Sequence, residues 1–126
     1  MSTRAVYTFK DDDQRFSVYK HHDGYPEGAQ EFISKARALA WPGQRFEAAD
    51  FSAAFVAANK DGGGGVYLTT NHKAHGDLSY RYEISQRMGA LWVDAYERVY
   101  DEKIEFKKIF GGSLNKFVEK YQEKVA

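Results

Sequence analysis

The feature that most constrains this chain is a change of hydrophobic period at Tyr25-Pro26. Before it, Ala5 to Lys10 and Phe16 to Lys20 alternate apolar and polar residues, the period of two that suits a strand with one buried face. After it, Ala29, Phe32, Ile33, Ala36, Leu39 and Ala40 recur at three- and four-residue steps, which predicts a helix with one buried stripe. Pro26 suits the first helical position because its missing N–H would be unpaired there, and Asp23 can bond the free amides of the turn. Trp41-Pro42-Gly43 stops this helix.

A second helix is expected from roughly Glu47 to Asn59, burying Phe51, Ala54, Phe55 and Ala58. Its alanines let it approach the first helix closely on one face of a sheet. Asp11-Asp12-Asp13-Gln14 reads as a solvated hairpin loop, since the Asp-x-Asp-x-Asp-Gly spacing of a calcium loop is missing. Lys60 to Gly65 holds four consecutive glycines but lacks the Gly-Lys-Ser/Thr ending of a phosphate loop, so it reads as a connector.

Beyond it, strands are expected at Val66 to Thr70, Leu78 to Ile84, Ala90 to Tyr100, and from Ile104 to Lys107 towards Gly111-Gly112. Leu78, Tyr80, Tyr82 and Ile84 share one face of their strand. Turns fall at Gln86 to Gly89 and Tyr100 to Lys103. Ser113 caps a last helix striped by Leu114, Phe117, Val118, Tyr121 and Val125. The expected fold is a single α+β domain over residues 1–126, in the order ββααββββα. It has a largely antiparallel sheet of about six strands and helices mainly on one face.

Charge and composition narrow the function. Lys plus Arg and Asp plus Glu both number 18, so no bulk field draws in nucleic acid or an anionic membrane, although a local patch is allowed. The absence of cysteine removes disulfides and thiol chemistry and suits a reducing compartment. The first residues lack the apolar core of a signal peptide and no window is long enough to span a bilayer, so a cytoplasmic protein is expected.

Three site readings remain open. His21-His22 and His72-x-x-His75, with Asp77 beside the second pair, hold the donor types of a transition-metal site, though not at a spacing that defines one. One histidine, oriented by Asp23 or Asp77, could instead serve as a general base in a small hydrolase acting on a nucleotide or nucleic acid. Finally, Tyr7, Phe9, Tyr19, Tyr80, Arg81, Tyr82, Trp92, Tyr96 and Arg98 interleave aromatic and basic character. Such residues either complete the core or form an exposed sheet face, which would suit a protein partner, a homo-oligomer or a stacked base with its phosphate on an arginine.

The start of the chain, from Met1-Ser2-Thr3-Arg4 through the Asp11-Asp12-Asp13 turn to His21-His22-Asp23-Gly24-Tyr25-Pro26-Glu27-Gly28, resembles a set of small proteins of tailed phages and prophages. They share strand, acidic turn, strand and a His-x-Asp-Gly-Tyr-Pro element; the resemblance covers about the first quarter. It implies a viral origin and a host-cell location. The function expected with it is a phage accessory protein that counters host defence stoichiometrically, blocking a host protein or sequestering a nucleotide signal. The binding residues expected are His22, Asp23, Tyr25, Arg81, Tyr82, Trp92 and Arg98, with no cofactor and a homo-oligomeric state. The competing classes are the hydrolase, with His21, His22, His72, His75 and Asp77 as its metal ligands, and a structural homo-oligomer.

Overall fold

Strand β1 (Ala5–Lys10) lies inside the sheet because both of its edges are used: it pairs antiparallel with β2 (Arg15–Lys20) and parallel with β4 (Tyr80–Arg87). The structure is a computed structural model, which describes residues 3–42, 46–60, 65–100 and 104–122. The other strands are β3 (Val66–Thr69), β5 (Ala90–Tyr100) and β6 (Ile104–Ser113), and the helices are α1 (Pro26–Leu39), α2 (Ala48–Asn59) and α3 (Leu114–Tyr121). Gly43, the glycines at 62–64, the turn residues 101–103 and Val125 lie outside the described residues.

The strand order is β3-β2-β1-β4-β5-β6. The sheet is mixed: four of its five pairings are antiparallel, in line with the expectation of a largely antiparallel sheet, while β1 and β4 run parallel, with Ala5 opposite Tyr80 and Phe9 opposite Ile84. Connectivity is the reason. After two helices the chain returns as β3 on the outer edge of β2, and residues 70–79 then carry it to the far side of β1. The element order departs from the expected one by a 3₁₀ turn, His72–Ala74, within that crossing.

All three helices cover one face. Tyr7, Phe9, Val18, Tyr82, Ile84, Val93 and Ala95 point from the sheet into a core completed by Ile33, Phe51, Phe55, Leu114 and Phe117. Tyr7 stacks on Tyr82 with ring centroids 5.0 Å apart, and the Tyr82 hydroxyl donates to the Gly24 carbonyl at 2.6 Å. That bond fastens β4 to the turn ahead of α1. The α1 stripe is buried at Ala29, Ile33 and Ala36, whereas Leu39, the last helical residue, is 59 % exposed. Leu78 also leaves the expected alternation: it precedes β4 and is buried on the opposite face with Val6 and Tyr19.

Several local readings change. The hairpin aspartates are more than a solvated turn, because Asp11 Oδ1 accepts from the amides of Asp13 and Gln14, and its Oδ2 accepts from the amide of Ala48 at the start of α2. Tyr25 occupies the N-cap of α1, and it makes no side-chain cap bond. Asp23 adopts φ +59°, and Gly28 lets its carbonyl close on the helix: a Cβ there would lie 2.2 Å from that oxygen. Strand β6 continues through Gly111-Gly112 to Ser113, whose hydroxyl caps α3 by accepting from the amide of Lys116.

Candidate functional site

The face without helices is laid out by alternation. It carries Val6, Thr8 and Lys10 from β1, Arg15, Ser17 and Tyr19 from β2, Arg81 and Glu83 from β4, and Trp92, Asp94 and Tyr96 from β5. The crossing segment 70–79 lies over part of this face. Leu78 packs on Val6 and Tyr19, and the His75 ring stacks on Tyr19 with centroids 4.5 Å apart and planes 16° apart. His75 Nε2 is hydrogen-bonded to Thr69 Oγ1, and the Tyr19 hydroxyl lies 2.8 Å from His21 Nδ1. The two histidine loops therefore meet through Tyr19. Burial, foremost, pushes the Tyr19 phenol above its ordinary pKa.

This meeting does not assemble the alternative metal set. His22 lies edge-on to His21, His72 lies edge-on to Phe106, and Asp77 is paired with Arg4. Among the described residues no three of His, Asp or Glu are grouped to hold a metal ion.

What the crossing does build is a cleft of about 320 Å³ between loop and sheet. Asn71, His72 and Lys73 line it from above, and Thr8, Arg15, Ser17 and Glu83 from below. The Thr8 and Ser17 hydroxyls bond each other at 2.9 Å. Burial, then the nearby cations Arg81 and Lys73, lower the His72 pKa and outweigh the opposing pull of Glu83. His72 therefore presents a neutral imidazole at neutral pH.

Glu83 is held loosely. Lys10 Nζ is 3.5 Å from one of its oxygens, while Arg81 Nη1 at 3.8 Å and the Tyr96 hydroxyl at 3.2 Å approach the other. All three exceed the ~2.7–2.9 Å of a strong charge-assisted bond. Asp94, its cross-strand neighbour, is buried and better held, by Lys108 Nζ at 2.9 Å, Trp92 Nε1 at 3.2 Å and Arg87 Nη2 at 3.7 Å. Two carboxylates directly opposite repel. Here surrounding cations offset that: Lys10, Arg15, Lys73, Arg81, Arg87 and Lys108 stand around them, a basic patch in a chain of zero net charge. The Arg81 guanidinium is fixed flat against aromatics, 3.7 Å from the Tyr96 centroid and 5.4 Å from that of Phe106.

The expected binding residues divide. Arg81 and Trp92 lie on this face. Arg98 anchors the crossing loop, donating to the carbonyls of Gly76 at 2.8 Å and Leu78 at 3.5 Å. Tyr82 is fully buried on the helix face, so its expected role at a surface is corrected to a core one. Tyr25 is half-buried at the start of α1, and His22 and Asp23 are exposed in the turn before it. Sequence reading passed over Arg15, Asn71, Glu83 and Asp94. The usable signal was that Arg81 and Glu83 share a face, as do Trp92, Asp94 and Tyr96.

A second cleft, of about 400 Å³, runs beside Trp41, Phe46 and Leu91. Its lining includes Pro42 and Phe46, between which residues 43–45 are outside the described residues, so the candidate site is placed at the first. No family model matches this chain, nor does any curated protein or solved structure.

Proposed function

We propose that this protein is a stoichiometric binder that sequesters a small nucleotide signal in the cleft under the crossing loop. In keeping with the N-terminal resemblance, the proposal places it among phage accessory proteins that counter a host defence. The observation that carries the reading is the basic patch around a cleft of one-ligand size, with Arg81 already fixed on Tyr96. An arginine immobilised before binding loses little freedom when it meets an anion, which favours affinity. Exposed Tyr67 and Leu68 on the edge strand β3 support the accompanying expectation of a homo-oligomer.

Isothermal titration with mononucleotides, followed by chromatography of the recovered ligand at substoichiometric protein, tests this reading. A binder saturates near one ligand per chain and returns it intact. Conversion of excess ligand makes the protein a hydrolase. Binding that survives both Arg81→Ala and Trp92→Ala removes the sheet face from the proposal, and absence of any nucleotide binding leaves a host protein as the target.

A further inference from the structure

Two unlike chemistries meet in the cleft. Its inner side is an acceptor: Glu83 is only 17 % exposed at its side chain, yet every partner it has is long, so a carboxylate with room for about four bonds is underused. Its outer side is cationic, with the exposed residues Arg15 and Lys73 on opposite walls. Beside Lys73 on the loop wall stands Asn71, whose oxygen accepts from the amide of Lys73 and which retains an NH₂ donor.

We infer that the cleft is selective for a guanine nucleotide, its base edge on Glu83 and its phosphate between Arg15 and Lys73. The inference rests on the nucleotide-binding reading above and adds the identity of the base. Guanine offers two adjacent donors, N1–H and the N2 amino group, that match the two oxygens of a carboxylate, and an O6 acceptor for the Asn71 amide. Adenine places an N1 lone pair where guanine has its donor, which a carboxylate repels. Cytosine and uracil lack the paired N–H and amino donors in that arrangement. A volume of about 320 Å³ suits one nucleotide rather than a strand.

The experiment is titration of the full chain with GMP, AMP and inorganic phosphate in parallel, on the wild type and on Glu83→Gln and Arg15→Ala. GMP should bind at least about tenfold tighter than AMP, the worth of one to two matched hydrogen bonds. Glu83→Gln should erase that preference while weakening AMP little, and Arg15→Ala should weaken both nucleotides alike. Equal GMP and AMP binding overturns the guanine assignment and leaves nucleotide sequestration standing. Phosphate binding as tightly as GMP shows an anion site that reads no base, and also overturns it. No binding of any of the three overturns both readings. Thermal melts accompany each variant, and if Glu83→Gln does not fold, Glu83→Asp takes its place: a GMP preference unchanged by that shortened carboxylate sinks the assignment.

Discussion

Asp11 Oδ2 accepts a hydrogen bond from the backbone amide of Ala48 at 2.8 Å, so a hairpin residue caps a helix that begins 37 residues later. The local N-cap residue, Glu47, makes no side-chain cap bond. The same carboxylate closes the hairpin through Asp13 and Gln14. Replacing Asp11 with alanine should therefore cost about 0.5–2 kcal/mol, the range for loss of a helix cap. The exposed neighbour Asp12 should cost under about 0.5 kcal/mol. Urea denaturation of the two variants decides; equal midpoints would show that the cap contributes nothing.

Alkaline pH should destabilise the fold through its buried phenols. Burial raises the Tyr82 pKa well above its ordinary value and, with the nearby Asp23 charge, raises that of the fully buried Tyr7 as well. The unfolded chain releases these protons first. Their contribution to stability is thus level below about pH 10 and falls as pH rises beyond it. At neutral pH, Tyr82→Phe should cost about 1 kcal/mol for the lost bond to Gly24. Above about pH 10 the gap should narrow, because the variant has one fewer buried phenol. Denaturation midpoints followed across that range would refute the argument if the gap stayed constant.

His72 provides the acidic counterpart. Its folded pKa is lowered, so the unfolded chain takes up the proton first and stability declines as pH drops below about 6.5. Its imidazole NMR resonances should titrate below the ordinary histidine midpoint. Arg81→Ala should move that midpoint up only part of the way, since burial is the larger cause. A complete return to the ordinary value would make charge, not burial, the dominant effect.

Gly111 should resist substitution although it sits in a strand. A Cβ there would lie 2.8 Å from Lys108 Cε and 3.1 Å from Asp94 Oδ1, so the lysine must leave its 2.9 Å contact with the buried carboxylate. Gly111→Ala should lower the melting temperature by a few degrees. Adding Lys108→Ala should then change little, because the same contact is already lost. Additive shifts would mean that the glycine serves something else.

Periodicity placed Ala5–Lys10 and Ala90–Tyr100 at their observed bounds, and the Ser113 cap was readable because a single hydroxyl precedes an amphipathic run. Alternation also put Tyr82 with Ile84. Which way that face points is decided by helices far along the chain, so a core tyrosine passed for a surface one. The parallel pairing of β1 with β4 depends on where residues 70–79 cross, and no local signal in that loop states it. The strand expected from Ile104 towards Gly111-Gly112 runs on through both glycines, where the Lys108 side chain packs across Gly111 and the Phe110 ring against Gly112. Glu83 and Asp94 each look ordinary alone. Only the register, which sets them opposite one another, gives them meaning.

The placement of β1 between β2 and β4 also fixes when the molecule can become whole. A chain emerging from its N-terminus can close the first hairpin and both leading helices, yet one edge of β1 stays bare until the residues from Tyr80 onward arrive. That bare edge is a template for pairing with another strand. The first half is thus not a separable folding unit, and a break in the loop before β4 should leave two fragments that are soluble only together. Speed of folding should accordingly be governed by this late, long-range docking and not by the hairpin that forms first.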